Sequence, residues 1–215
     1  MPRTGEGRVV TTARLETFAD GVFAIAATLL IIDVGLPANL HDSLGQELLQ
    51  IWPQYLAYAI SFATIGIIWV NHHAVLVQVG RVDRSFLFLN LGLLLSVAFI
   101  PFPTRVLAEF VRTQDDGRAA ALLYGVTMMV MSVTFLSVWL YASVARGLTV
   151  PDADSQATRR ITRSFLPGLP MYTAATLIAL VSPKASAALF GLLALFYMVS
   201  SSFFGRREDR RFDSG

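Results

Sequence analysis

The first long apolar segment constrains the fold most, because it combines a membrane-spanning length with charged residues at one end. Residues 15–35 are mostly apolar, and a spanning helix needs about 20 such residues. Arg14 and Asp20 lie at its start. A charge inside a membrane helix costs about 2.5 to 3.5 kcal/mol or more, so charged residues there are paired or face water. We therefore expect this helix to do more than anchor the protein.

Apolar runs of similar length recur along the chain and predict an all-α, polytopic membrane protein. Of the 215 residues, 54% are hydrophobic and 15% charged, whereas a soluble domain has about 25% charged residues. Pro101 and Pro103 predict a kink in the third helix, and Pro167 and Pro170 disturb the start of the fifth. The six predicted transmembrane helices are residues 15–35, 52–79, 86–109, 119–145, 161–182 and 185–204.

The distribution of basic residues predicts the orientation of this bundle. Cytoplasmic flanks of membrane helices carry an excess of Arg and Lys. With six spans and a cytoplasmic N-terminus, 13 of the 17 basic residues fall on the cytoplasmic side and 4 on the outer side. We therefore expect both termini in the cytoplasm. The predicted parts are a cytoplasmic N-terminal arm at 1–13, a transmembrane domain at 14–205 and a basic, disordered cytoplasmic tail at 206–215.

Three of the predicted helices carry polar residues at a common depth, about six positions or 9 Å from their cytoplasmic ends. These residues are Asp20, Asn71, His72, His73 and Asn90. Because polar groups in lipid need partners, we expect a hydrogen-bonded layer that joins the three helices. The alternatives are a proton relay and a zinc site at Asp20, His72 and His73. Adjacent histidines point about 100° apart on a helix, which disfavours the zinc site.

A stripe of aliphatic residues with one hydroxyl follows one face of the first helix. Its members are Ile25, Thr28, Leu29 and Ile32, at the spacing i, i+3, i+4 and i+7. The far side carries Asp20, Ala24 and Ala27, and small residues there favour packing against helices of the same chain. The spacing alone is compatible with core packing, with lipid contact or with the lining of a pore.

These segments resemble the transmembrane protein 175 family, potassium-permeable channels of endosomes and lysosomes that have shorter bacterial relatives. In the first helix the matching residues are Arg14, Phe18, Asp20, the run Gly21-Val-Phe-Ala-Ile25 and Thr28-Leu-Leu30. Further along they are Trp69-Val-Asn-His-His73, Asn90 and Ala98-Phe-Ile-Pro-Phe-Pro-Thr104. The chain departs from the family at Ala19, where the family has a serine.

The resemblance implies a homotetrameric, moderately potassium-selective cation channel in the bacterial plasma membrane. The first helix of each subunit would line a central pore, with constrictions at Ile25, Leu29 and Ile32 and a hydroxyl from Thr28. Such hydrophobic constrictions gate by dewetting. The resemblance also implies a structural polar network within each subunit. Its expected members are Arg14, Phe18, Asp20, Trp69, Asn71, His72, His73 and Asn90.

The remaining expectations concern partners and other classes of function. We expect monovalent cations, with K⁺ permeating the pore, lipid and further copies of the chain as partners, and no cofactor, metal or nucleic acid. The sequence lacks the usual hydrolase, metalloprotease and nucleotide-binding motifs, so we expect no enzyme. It also lacks a Thr-Val-Gly-Tyr-Gly filter, which favours modest selectivity. The main alternative is a secondary transporter or proton-coupled carrier that uses the His and Asp layer, and a membrane enzyme centred there is a third.

Overall fold

The regular elements of the chain are helical wherever the computed structural model describes it, at residues 12–36, 43–145, 148–150, 162–163 and 165–212. Within these residues the β-structure is limited to one isolated bridge between Val79 and Thr149. The predicted all-α class is therefore confirmed. The helices with defined bounds are α1 (Thr12–Leu29), α2 (Leu44–Gln50), α3 (Trp52–Val77), α4 (Arg84–Phe99), α5 (Pro101–Phe110), α6 (Asp115–Leu140), a π-helix (Tyr141–Ala145), α7 (Gly168–Ile178) and α8 (Pro183–Phe212).

The structure describes only part of the predicted N-terminal arm and of the predicted C-terminal tail. Residues 1–11 of the arm and 213–215 of the tail lie outside the described residues. So do five of the basic residues counted for orientation, Arg3, Arg8, Arg146, Arg159 and Arg160. The prediction of a disordered tail is wrong for residues 206–212, because α8 continues through them. Two features favour this longer helix. No proline interrupts the chain after Pro183, and basic residues near a helix C-terminus complement its dipole.

The first helix is shorter than predicted at its C-terminal end. α1 ends at Leu29, and the chain then turns, with the Ile32 amide donating to the Leu29 carbonyl at 3.1 Å and the Val34 amide to the Ile31 carbonyl at 3.1 Å. Consecutive β-branched residues and Gly35 have low helix propensity, which accounts for the early stop. Ile32 therefore lies in the turn after α1 and not on the helix itself.

The third predicted helix is broken where its prolines predicted a kink. α4 ends at Phe99 and α5 begins at Pro101. Pro101 and Pro103 lack the amide hydrogens that would continue the helical ladder across Ile100. Likewise, α7 begins at Gly168, directly after Pro167, so the predicted disturbance of the fifth helix is also confirmed.

The short helix α2 lies between the predicted helices at 15–35 and 52–79, where the sequence predicts none. A local signal marks its start, because Ser43 precedes Gln46 at the spacing of a capping box. The Ser43 amide donates to Gln46 Oε1 at 3.2 Å, which satisfies one of the free donors at the helix start.

The helices pack around α6, which contacts α4, α5, α7 and α8. Its buried side chains include Tyr124, Met128, Phe135 and Trp139. α1 packs instead on α3 and α4 and touches α5. It therefore lies at one edge of the bundle, against the first half of the chain.

Three helical stretches in the described part of the chain are long and apolar enough to cross a membrane. They are Trp52–Val77, Arg84–Phe110 and Asp115–Val144. Pro183–Val199 is apolar but shorter, α7 has 11 residues, and α1 has 18 with three charged residues among them. Length and composition thus support membrane-spanning helices, while the count of six stays a prediction.

Candidate functional site

One face of α1 is buried against the bundle. Leu15, Ala19, Phe23 and Ala26 form this packing face, and Ala19 is fully inaccessible. Their spacing of four, four and three residues keeps them on one side of the helix. The two alanines allow the backbones of α1 and its neighbours to approach closely. Ala19 stands where the resembling family has serine, and its methyl group suits this apolar contact.

The predicted stripe lies on an exposed face of the described chain. Ile25 is 61% exposed, Leu29 42% and Ile32 72%, and Thr28 is exposed as well. The Thr28 hydroxyl donates back to the Ala24 carbonyl at 2.9 Å or to the Ile25 carbonyl at 3.0 Å. The stripe therefore presents apolar side chains with one oxygen among them and is free to contact something outside this chain.

The residues expected on the packing face of α1 are not the ones that pack. Asp20 and Ala24 are exposed and Ala27 is half-buried. The buried face is centred near Ala19 and Ala26, and Ala26 is only about 100° from Ile25 around the helix. The sequence predicts a packing face on the far side of the helix from the stripe, whereas the exposed surface of α1 covers more than half of its circumference.

Two polar pairs join α1 to α3. The Trp69 indole N–H donates to Asp20 Oδ1 at 2.8 Å. One turn further toward the start of α1, His73 Nδ1 lies 2.9 Å from Glu16 Oε1. Each pair joins one side chain of α1 to one side chain of α3, so together the two pairs fix the axial position of α1 relative to α3.

A third pair is fully buried between α3 and α4. His72 Nε2 lies 2.9 Å from Asn90 Oδ1, and because that oxygen accepts, Nε2 carries the hydrogen. The Phe23 ring of α1 covers the imidazole at a centroid distance of 5.4 Å. Asn90 Nδ2 has no hydrogen-bond partner among the described residues. This contact connects the polar pairs of α1 to the next helix of the bundle.

The predicted polar residues thus separate into pairs. Arg14 and Phe18 are exposed on α1. Asn71 is half-buried and lines a different cavity, of about 70 Å³, on the side of α3 that faces α6, α7 and α8. Sequence reasoning missed Glu16, although its position one turn before Asp20 was an available signal.

A shared metal site does not form from the candidate ligands. Asp20 turns to Trp69, His72 to Asn90 and His73 to Glu16. In the described part of the chain, no group of three His, Cys, Asp or Glu side chains is placed to hold a metal ion.

Comparisons with known proteins identify relatives of this chain. The sequence profile described as "Endosomal/lysosomal potassium channel TMEM175" matches residues 14–101, which contain the stripe and all three polar pairs. A protein of Streptomyces collinus named as a potassium channel is 42% identical over 191 residues, covering 86% of this chain and 91% of that protein. Another so named, from Chamaesiphon minutus, is 36% identical over 194 residues, 89% and 95% of the two chains.

A solved structure extends the similarity to the fold. The crystal structure of a TMEM175 homolog from Chamaesiphon minutus, described as a lysosomal potassium-selective channel, superposes with a TM-score of 0.78 at 34% identity. The match covers 88% of this chain and 97% of the other. The apolar helical bundle, the matched segment at residues 14–101 and alignments that cover 86–89% of this chain all support the same family. This chain is a membrane protein that belongs to the TMEM175 family.

Proposed function

We propose that this protein is a potassium-permeable channel whose pore is lined by the exposed face of α1. The observation that carries the proposal is the stripe itself, in which Ile25 and Leu29 project outward one turn apart on a helix packed on another side. Apolar side chains that narrow a water-filled path stop ions by dewetting. Thr28 adds an oxygen between them, and the turn after α1 adds Ile32.

A single chain cannot enclose a pore with one helix, so the proposal requires several copies around an axis. Identical subunits usually close such an interface as a ring, and the number four comes from the family resemblance. Next to the stripe, Gly21 and Ala24 leave a shallow surface on α1, and a Cβ built at Gly21 meets nothing within 4 Å. Small residues of this kind allow a helix of a neighbouring copy to approach.

The polar pairs support the channel more than the carrier. Asp20, His72 and His73 each have a partner within the chain, so their geometry favours holding α1 in place. A carrier or a proton relay needs such groups to exchange partners during transport. The expected network of Arg14, Phe18, Asn71 and the paired residues is accordingly proposed as a structural support of the pore helix.

The permeant ion and the location are proposed from the relatives and from the charges. Relatives that share most of this chain are named potassium channels, so K⁺ is the proposed ion, with modest selectivity from pore radius and hydroxyl oxygens. The proposed location is the bacterial plasma membrane, with residues 14–205 as the channel domain, six spans and both termini in the cytoplasm. Catalysis and a bound cofactor are not part of this proposal.

Ion flux through purified protein in planar bilayers tests the pore assignment. Replacing Ile25 with Asn should wet the constriction and raise the current, because a polar side chain lowers the barrier to hydration. Replacing Thr28 with Val keeps the shape but removes the oxygen, so we expect a changed ratio of K⁺ to Na⁺ permeability, read from reversal potentials.

A matched control uses the same change on a helix remote from α1. Leu177 of α7 is 59% exposed, and α7 packs on α6 and α8. Leu177→Asn should leave current and selectivity as they are in the parent protein. If Ile25→Asn and Thr28→Val behaved like this control, α1 would not line the pore. Saturating flux in the parent protein would instead favour the carrier.

A further inference from the structure

A cavity of about 70 Å³ lies between α3, α6, α7 and α8, away from the stripe of α1. Its walls are largely apolar and partly aromatic, with Phe135, Phe165 and Tyr172 among the lining residues. Phe135 and Phe165 meet edge to face at a centroid distance of 4.6 Å. Every described residue that lines the cavity is uncharged. The space therefore suits a neutral molecule and is a poor route for ions.

Besides Tyr172, three polar side chains line the same cavity. Asn71 enters from α3, Ser132 from α6 and Tyr197 from α8. A Cβ built at Gly168 would lie 3.4 Å from the Tyr197 hydroxyl and 3.7 Å from Ser132 Oγ. The two oxygens therefore converge on one point of the wall, which the absent side chain of glycine leaves open.

These polar groups lack strong partners within the described chain. The Tyr197 hydroxyl donates to Met171 Sδ at 3.8 Å, a weak acceptor. Asn71 and Ser132 make no side-chain hydrogen bond to other described residues, unlike most of the serines and threonines on neighbouring helices, which donate to their own backbone. Unsatisfied polar groups at a largely apolar site favour a ligand that supplies the missing hydrogen bonds.

We propose that this cavity binds a small neutral amphiphile that carries one hydroxyl group on an aromatic body, a phenol in chemical class. The hydroxyl both donates and accepts, which matches Ser132, Tyr197 and the Asn71 amide. The ring packs against the edges and faces of the aromatic wall. The volume of about 70 Å³ is about half of the roughly 150 Å³ that encloses a benzene molecule completely, and this cavity is partly open, so it takes no more than a single ring and excludes a lipid chain. This inference is independent of the proposed pore.

Fluorine NMR titration of the purified full-length protein tests the proposal, with para-fluorophenol and para-fluorotoluene as probes that differ in the hydroxyl. Tyr197→Phe and Ser132→Ala each remove one oxygen and preserve the cavity. We expect each variant to raise the dissociation constant of fluorophenol about fivefold, the loss of one neutral hydrogen bond, without changing that of fluorotoluene.

A third variant blocks the site without polar change. The Cβ of Gly168→Ala makes ordinary contacts with Ser132 and Tyr197, so the protein should fold normally, as its melting temperature would show. We expect this variant to weaken both probes. The proposal is overturned if fluorophenol binds equally to the parent protein and both hydroxyl variants. Equal signals from Gly168→Ala would also overturn it, because they would mean that the probes only enter the detergent.

Discussion

The three polar pairs differ in how much each side chain depends on its partner. In the pair formed by His73 and Glu16, the side chains are 58% and 37% exposed, and such surface pairs contribute about 0–1 kcal/mol. His72 and Asn90 are almost completely buried. A buried donor that loses its acceptor keeps the full cost of its desolvation. The His72–Asn90 contact should therefore dominate the stability of this layer.

Substitution of one residue from each pair tests this ranking. Asn90→Ala leaves the His72 N–H buried without an acceptor, and we expect the free energy of unfolding to fall by about 1–3 kcal/mol. Glu16→Ala should lower it by less than about 1 kcal/mol. Denaturation of both variants in detergent measures the difference. Equal losses, or a larger loss for Glu16→Ala, would contradict the ranking.

At the level of the helices, the sequence predicted positions well and orientations poorly. Long apolar runs gave α3 and α6 nearly to their ends, and Pro101 and Pro103 gave the break between α4 and α5. The packing face of α1 could not be found in this way. In a soluble protein apolar residues indicate the inside, but in lipid both faces of a helix are apolar. Only the contacts of the folded chain distinguish Ala19 and Ala26 from Ala24.

The polar layer was predictable in its membership and not in its pairing. Counting residues from helix ends placed Asp20, His72 and Asn90 at one depth. Their partners depend on rotation of one helix against another, which depth does not determine. For that reason Glu16 was missed, and Asn71 was grouped with neighbours that it does not face.

A close contact between α6 and α7 gives a prediction about helix packing. A Cβ at Gly125 would collide with the Thr176 side chain, 2.8 Å from its Cβ and from its Cγ2. We expect Gly125→Ala to destabilise the protein by about 1–3 kcal/mol through overpacking. Gly66→Ala on α3 is the matched control, since its new Cβ meets nothing within 4 Å. Comparable melting temperatures for the two variants would show that the helices separate easily.

On the scale of the whole molecule, the arrangement around α6 leaves α1 with a partner on one side only. α7 packs on α6 and α8, and α8 packs on α3, α6 and α7, so the last two helices support the fold without enclosing α1. An exposed helix with both charged and apolar residues is unusual for a molecule that functions alone in lipid. This asymmetry is the structural reason to expect assembly through α1.

Cross-linking tests that assembly, and the chain is suited to it because it contains no cysteine. We expect Ile25→Cys to form covalent dimers with a short bifunctional maleimide in membranes, since copies of α1 would face one another. Leu177→Cys on α7 should give few or none. Denaturing gels read the outcome. Similar yields from both positions would mean random collision, and monomers from both would exclude an axis at α1.

If α1 lines the proposed pore, the back-bonded hydroxyl of Thr28 favours one sign of charge there. Its one hydrogen points to a main-chain carbonyl of Ala24 or Ile25, so its outward side holds lone pairs alone. Lone pairs replace the water oxygens around a cation, whereas an anion needs hydrogens. Copies of such an oxygen gathered at one level would discriminate by the sign of an ion's charge before they discriminate by its radius. These hydroxyls would offer chloride no hydrogen-bond donor, even if they barely distinguished sodium from potassium.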